Sequence, residues 1–280
     1  MKKYFNVNLA IIEEQQEIAL AALSDLLFEG IVQDEDMLII TFEEKNFSDE
    51  LIILMKSLLS EYELDYNLVS IDSLNDKNWN EEFEKKVPAI HVSKRIGIAP
   101  TWKFDELTED IKVKINPKMS FGTGEHSTTR LVAQLMETTV KPNTHWIDAG
   151  TGTGILAILA IKLGAKSCFA FDNYEWSVEN AKENIELNEI GNEIDLQLLD
   201  IDEITLPDAD GIAANIFTSM ILKAMPLFYE SLKNRKGELI SSGILKYDRD
   251  LIVDKAIETG FELIEERTDD EWIAFHFRVK

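Results

Sequence analysis

The segment 146–154, Trp-Ile-Asp-Ala-Gly-Thr-Gly-Thr-Gly, constrains the fold of this chain more than any other. Its glycines at 150, 152 and 154 are followed directly by the apolar run 155–161, and a second apolar segment, 167–171, ends at Asp172. This order predicts a strand, a glycine turn, a helix and a second strand that ends in an acid. Such an arrangement is typical of the ligand-binding edge of a parallel sheet.

The spacing of the glycines indicates which cofactor the turn binds. The dinucleotide fingerprint requires its third glycine where Ile155 stands, so the pattern favours S-adenosylmethionine over NAD. Because glycine has no side chain, the backbone at these positions can bend sharply and let a ligand reach the first turn of the helix. Asp172 can accept hydrogen bonds from both hydroxyls of a ribose. The alternative is a glycine-rich turn beside an ordinary surface acid.

Length and composition predict an enzyme with about two domains, because 280 residues exceed the usual size of a single core. We find no apolar run long enough to span a membrane, and acids follow the N-terminal stretch too early for a secretory signal. A cytoplasmic location is therefore expected. The single cysteine, Cys168, is expected to be a buried strand thiol, and no metal site is predicted.

The net charge of −24 argues against nucleic acid as a direct partner. Residues 1–77 contain 17 Asp and Glu against 5 Lys, a balance of −12, so this first part of the chain carries half of the excess. A basic partner would be steered toward it. The alternative is an acidic surface that only keeps the protein in solution.

Hydrophobic periodicity predicts a small α+β domain over 1–74. Strands are expected at 4–9, 31–32, 37–42 and 66–71, with one helix whose apolar stripe runs through 18–27 and a second helix capped by Ser48. The order βαββαβ suggests a ferredoxin-like domain. It contains no histidine or cysteine, and its few aromatics and negative charge do not suit RNA stacking. We expect it to serve recognition.

A polar, charged stretch separates this domain from the rest of the chain. Segment 75–88 is predicted to be a linker helix in which Trp79 and Phe83, four residues apart, pack against one neighbour. The second domain is predicted to span 89–280. It opens with a hairpin at 90–102 around Lys94 and Arg95.

The second domain alternates strands and helices, as a parallel sheet requires. The pattern predicts helices at 128–137, 155–163, 175–187, 220–232 and 248–257. The expected strands are 145–148, 167–171, 195–199, 211–214 and 238–242, followed by an antiparallel pair at 261–266 and 272–279.

Two further segments are expected at the ligand edge of this sheet. One is the glycine loop 119–130, where the hydroxyls of residues 127–129 can bond free amides at a helix start. A plain loop that enters a helix is the alternative. His126 is expected to cap or pack rather than to act as a base. The other segment ends at Asn215, whose amide can align a cofactor or accept from an amine, with a helix cap as the alternative.

With these pieces assembled, the chain resembles the ribosomal protein L11 methyltransferase family. The resemblance covers nearly the whole chain and rests on five stretches of sequence: 78–79, 99–102, 121–129, 148–158 and 215–216, together with Ser-Gly-Ile-Leu at 242–245. It implies a ferredoxin-like recognition domain joined by a linker to a class I methyltransferase domain. Such a domain is a doubly wound α/β sheet with a closing antiparallel strand.

The resemblance also implies functional residues and a reaction. Thr129, Gly150, Asp172 and Asn215 would contact S-adenosylmethionine, and Phe121 would close over it. Methyl groups would pass from the sulfonium to lysine side chains, or to an N-terminal amine, of a basic large-subunit ribosomal protein. No residue identifies itself as a catalytic base.

The chain departs from the family pattern at three places. Glu125 and Ser127 replace Thr and Pro, Thr and Thr replace Cys and Ser at 151 and 153, and Phe-Thr-Ser at 217–219 replaces Leu-Ala-Gly. The first two changes should preserve cofactor binding, and the third is expected to line the acceptor side.

Three other functions fit parts of the sequence. A methyltransferase acting on another protein or on a small molecule would share the cofactor half. An NAD-dependent dehydrogenase is disfavoured by Ile155. A non-catalytic nucleotide-binding adaptor would use the first domain for contacts alone.

Overall fold

A computed structural model describes residues 3–75, 87–116, 118 and 122–280. The chain divides into two compact units, Met1–Glu81 and Glu82–Lys280. Nearly all of the predicted linker helix, including Trp79 and Phe83, lies outside the described residues.

The first unit contains a four-stranded antiparallel sheet with two helices. Its elements follow the predicted order βαββαβ, and the strands lie in the order β2-β3-β1-β4. The bounds are β1 (Lys3–Ala10), α1 (Glu13–Ala22), β2 (Gly30–Asp34), β3 (Met37–Glu43), α2 (Asp49–Glu61) and β4 (Asn67–Asn75). Ser48 caps α2 as expected, since its hydroxyl oxygen accepts from the amide of Leu51 at 3.2 Å.

Alternate strand residues and the helices form the core of this unit. The predicted stripe of the first helix is wrong at its end, because α1 stops at Ala22 and the chain turns there, leaving Leu27 60% exposed. In α2 the fully buried positions are Met55 and Leu59, whereas Tyr62 at its C-cap is exposed. Helix ends are set by the chain turning toward the next strand, which periodicity does not show.

The second unit begins with a small three-stranded sheet made of β5 (Ile90–His91), β6 (Ile96–Ala99) and β7 (Ile111–Lys114). The predicted hairpin exists as the short antiparallel pair β5 and β6. It ends at Ala99 rather than at Trp102, because Pro100 stops the strand and residues Thr101–Glu106 form a 3₁₀-helix. Strand β7, parallel to β6, was not predicted.

The main sheet has seven strands in the order β10-β9-β8-β11-β12-β14-β13. The pairs that join β10, β9, β8, β11 and β12 are parallel, and β14 is antiparallel to both of its neighbours. The bounds are β8 (His145–Ala149), β9 (Ser167–Asp172), β10 (Ile194–Leu198), β11 (Gly211–Asn215), β12 (Glu238–Leu245), β13 (Phe261–Asp269) and β14 (Trp272–Val279). The predicted doubly wound α/β sheet with a reversed strand is confirmed.

Five helices pack on this sheet: α3 (Ser127–Thr139), α4 (Ile155–Lys162), α5 (Glu175–Leu187), α6 (Thr218–Leu232) and α7 (Arg249–Thr259). Contacts join α3 to α4 and α4 to α5, and separately join α6 to α7, so both faces are covered. Residues 155–160 of α4 are all buried, which explains an apolar run without a polar face. Within the described ranges, none of the helices combines the length and apolarity needed to cross a membrane.

A hydrophobic core of the second unit lies between the sheet and helices α6 and α7. Phe275 and Phe277 of β14 stack there with ring centroids 5.3 Å apart, and neither is exposed. Phe228 of α6 packs in the same cluster. Burial of aromatic rings is a main source of stability in such a core.

We therefore expect Phe275→Ala to lower the free energy of unfolding by about 3–5 kcal/mol, because it removes buried ring area and leaves a cavity. Ile264→Ala, at a position 42% exposed on β13, is the control and should change it by only about 0.5 kcal/mol. Urea denaturation followed by circular dichroism measures both values. Equal losses in the two variants would contradict this account of the core.

Candidate cofactor-binding site

The glycine turn leaves β8 at its carboxyl end and leads into α4. Gly150, Gly152 and Gly154 all have positive φ, at 74°, 53° and 83°. A Cβ atom at Gly150 would lie 2.4 Å from Cγ2 of Ile216, so no other residue fits there without a shift. Ile216 also explains the glycine at 243, because a Cβ atom at Gly243 would lie 2.3 Å from the carbonyl oxygen of Ile216.

Asp172 lies at the end of the neighbouring strand β9, against this turn. The amide of Gly152 donates to Oδ2 at 2.9 Å, and the amide of Tyr174 donates to Oδ1 at 3.0 Å. Burial raises the pKa of the carboxyl, and these hydrogen bonds oppose the rise. The side chain of Ser177 and the amide of Asn173 also donate to this carboxyl, whose oxygens are the acceptors that a ligand hydroxyl would use.

A cleft adjoins the turn and Asp172. Its position at the carboxyl edge of the parallel strands is where open α/β sheets bind ligands. The lining residues are Gly150, Phe171, Asp172, Asn173, Leu199, Ile201, Ile216 and Met220.

Thr129 and Asn215 meet at the same edge. Asn215 ends β11, whose parallel pairing of Ala214 with Ala149 places it level with the start of the glycine turn. Its Nδ2 donates to Oγ1 of Thr129 in the first turn of α3 at 3.3 Å, and its buried Oδ1 has no partner among the described residues. Asn215 does not cap α6, whose N-cap is Phe217. The structure thus brings the strand ends that carry Gly150, Asp172 and Asn215 to one edge.

The loop before α3 differs from the expectation in one respect. The helix begins at Ser127 and its N-cap is His126, whose ring accepts from the amide of Thr128. The hydroxyls of 127–129 therefore lie inside the first turn and do not cap it. The ring of His126 also contacts Trp272 edge-on, at 5.0 Å between centroids, so the expected capping and packing role is observed. Phe121 lies outside the described residues.

Asp148 is a site residue that sequence reasoning did not single out. It is 1% exposed, and its Oδ2 accepts from Oγ1 of Thr151 at 2.6 Å and from the amide of Ala157 at 3.0 Å. Its Oδ1 has no partner in the part of the chain that the structure describes. Burial, together with the charge of Asp172, raises the pKa of Asp148 to about 7. An acid inside the apolar strand, two residues before Gly150, was the signal that could have found it.

Cys168 of β9 is buried, as expected, and burial raises the pKa of its thiol. A thiol in this state is protonated and unreactive.

The residues present fit a nucleoside that carries a cationic amino-acid end. Gly150 forms a surface that any side chain would fill, and Asp172 lines the cleft. Among the described residues, the buried Oδ1 atoms of Asp148 and Asn215 have no partner and call for a hydrogen-bond donor. With the reversed strand β14 next to β12, this site defines a class I methyltransferase domain.

Comparison with known proteins identifies the particular family. The model of "Ribosomal protein L11 methyltransferase (PrmA)" matches residues 6–280. The chain belongs to this family, and it is an S-adenosylmethionine-dependent protein methyltransferase.

Individual relatives agree with this membership. The ribosomal protein L11 methyltransferase of Clostridium perfringens (strain ATCC 13124) is 33% identical over 245 residues, 85% of this chain and 78% of the relative. That of Chlorobaculum parvum is 32% identical over 264 residues, 92% and 90% of the two chains. The crystal structure of ribosomal protein L11 methylase from Lactobacillus delbrueckii subsp. bulgaricus has a TM-score of 0.63 at 32% identity, and covers 69% of this chain and 100% of its own.

The raised pKa of Asp148 predicts how stability depends on pH. Between its ordinary value near 4 and the folded value of about 7, the folded state binds more protons than the unfolded chain, so the free energy of unfolding falls as pH rises through this window. Asp148→Asn removes the charge and keeps an oxygen for Thr151 and Ala157. We expect it to raise Tm more at pH 8 than at pH 5.

Differential scanning fluorimetry without ligand measures this effect. Asp195→Asn, at an exposed acid of β10, is the matched control and should not change the pH dependence. A gain in Tm for Asp148→Asn that is the same at both pH values would rule out a titrating Asp148.

Proposed function

We propose that this chain transfers methyl groups from S-adenosylmethionine to amino groups of ribosomal protein L11, on lysine side chains or the N-terminal amine. The observation that carries the proposal is the convergence of Gly150, Asp172 and the Thr129–Asn215 pair at one sheet edge in a member of this family. Its relatives are named for methylation of this ribosomal protein.

Each residue of the site has a proposed role. Asp172 binds the ribose hydroxyls, and the backbone at Gly150 contacts the nucleoside. Thr129 orients Asn215 through their hydrogen bond. Asp148 lies nearby with an unpartnered carboxylate oxygen, which suits the ammonium group of the cofactor.

The reaction requires a neutral amine. A lysine has an ordinary pKa near 10.4, so the site must desolvate the amine and aim its lone pair at the methyl group. When bound, the cofactor supplies an electrophilic methyl group on a sulfonium. We propose that Oδ1 of Asn215 and nearby backbone carbonyls accept hydrogen bonds from the amine N–H groups and hold it in line, while solvent takes the proton.

Incubation with labelled S-adenosylmethionine and purified ribosomal proteins tests the function. Label is expected in L11, in a band that carries methylated lysine on mass spectrometry. Label in a different protein, or release of S-adenosylhomocysteine only with a small-molecule acceptor, would replace the proposal with one of the alternatives.

Replacing Asn215 tests the proposed role of its amide. One hydrogen bond made in the reacting complex is worth about 1.4 kcal/mol, so Asn215→Ala should lower kcat/KM about tenfold or more. Asn234→Ala, at an exposed asparagine that bonds Asp208, is the control and should keep the wild-type value. Unchanged cofactor affinity and turnover in Asn215→Ala would remove this residue from the site.

We further propose that the first unit is a ferredoxin-like domain that docks the basic ribosomal protein. An exposed acidic cluster supports this role. The side chain of Gln16 donates to the carbonyls of Ile11 and Asp34, at 3.1 and 2.6 Å, and so joins the start of α1 to the β2–β3 turn. The cluster consists of Glu13, Glu14, Asp34, Glu35 and Asp36, all exposed.

Charge reversal tests the docking role in the full chain. The triple variant Asp34→Lys, Glu35→Lys and Asp36→Lys should raise KM for L11 about tenfold and leave the affinity for S-adenosylmethionine unchanged, because it removes electrostatic attraction. The wild-type KM should also rise with salt.

The control changes net charge equally at exposed acids of the second unit, with Asp254→Lys, Glu258→Lys and Glu262→Lys. Equal KM values in the two triple variants would show that total charge, rather than the acidic cluster, attracts the acceptor.

A further inference from the structure

Three asparagines spaced four residues apart, two on α5 and the third, Asn188, at its C-cap, bind the backbone at the end of β7. Asn188 pairs with both polar backbone atoms of Lys114, accepting from its amide at 3.0 Å and donating to its carbonyl at 2.7 Å. Asn184 accepts from the amide of Asn116 at 2.8 Å, and Asn180 donates to the carbonyl of Asn116 at 3.0 Å. The three amides therefore fix segment 114–116 against α5.

Asn184 differs from its neighbours because it also reaches the glycine turn. Its Nδ2 donates to the carbonyl of Thr153 at 2.9 Å, and both residues are fully buried. One side chain thus joins the helix, segment 114–116 and the turn.

Thr153 continues the connection through its hydroxyl. Its Oγ1 donates to the carbonyl oxygen of Gly122 at 2.6 Å. A Cβ atom at Gly122 would lie only 2.9 Å from Oγ1 of Thr153, so the two residues are in close contact. Thr153 is therefore held on one side by Asn184 and on the other by the backbone that leads to α3.

These bonds matter because glycines have little conformational preference of their own. In the part of the chain that the structure describes, the other hydrogen bonds of the turn stay within it, or run to β8, β9 or the first turn of α4 through Asp148, Phe171, Asp172 and Ile158. The bonds of Thr153 bring support from α5 and from Gly122.

We propose that Asn184 is a positioning residue for cofactor binding: through Thr153 it sets the shape of the glycine turn whose backbone receives S-adenosylmethionine. The inference rests on the proposed cofactor role of this turn. Asn184 acts through Thr153 and does not itself touch the ligand.

The test compares Asn184→Ala with Asn188→Ala in the full chain. Both substitutions remove an amide that donates to and accepts from backbone, at a fully buried position for Asn184 and a partly buried one for Asn188, but only the first releases the turn. Isothermal titration should show the Kd for S-adenosylmethionine and S-adenosylhomocysteine rising about tenfold in Asn184→Ala, the factor expected for a lost hydrogen bond, and less than about twofold in Asn188→Ala. Both variants should lower Tm without ligand.

A second pair tests the same connection without an asparagine change. Thr153→Ser keeps the hydroxyl and should retain the wild-type Kd, whereas Thr153→Val removes it at nearly constant shape and should weaken binding. In both weakened variants KM for S-adenosylmethionine should rise while kcat at saturating cofactor stays within about twofold, since a misplaced turn mainly costs binding.

Equal Kd changes in Asn184→Ala and Asn188→Ala would overturn the positioning role. If Asn184→Ala does not fold, equal Kd values for Thr153→Ser and Thr153→Val would overturn it instead. Failure of the wild-type protein to bind S-adenosylmethionine would reject the cofactor assignment itself, and the two failures are therefore distinguishable.

Discussion

The site depends on the parallel pairing of β8 with β9 on one side and with β11 on the other. Parallel strands deliver their carboxyl ends to the same edge, so three segments far apart in sequence meet without a long loop. The amides of Gly150 and Thr151 both donate to the carbonyl of Phe171 at 3.0 Å and join the turn to β9. The reactive edge is thus an extension of the sheet's own hydrogen bonding.

Two buried carboxylates give this edge its electrostatic character. Asp148 and Asp172 lie at the ends of adjacent strands, and burial raises the pKa of both. Backbone amides of Ala157, Gly152 and Tyr174 donate to them and compensate for part of the lost hydration. A cation is the charge that such a pair accepts most readily. The burial that raises both pKa values therefore also favours a positively charged ligand at this edge.

Local signals account for what the sequence predicted correctly. The alternation of strands and helices, the glycine turn and the cap at Ser48 each depend on neighbouring residues, and all are observed. Misses occurred where distant contacts decide. Strand β7 was missed because it forms by pairing with β6 and because Asn188, at the C-cap of α5, binds its end. None of these partners is adjacent in sequence.

The sequence by itself determined the strand–turn–helix–acid unit at 146–172, the reversed last strand and the family, because each is written in short-range spacing and residue type. Only the tertiary structure decided that Asn215 bonds Thr129, that Asp148 is buried with a free oxygen, and that Asn184 joins the turn to β7. The physical reason is that hydrogen bonds and burial depend on which segments meet in space, and sheet order brings together residues separated by 31 to 86 positions.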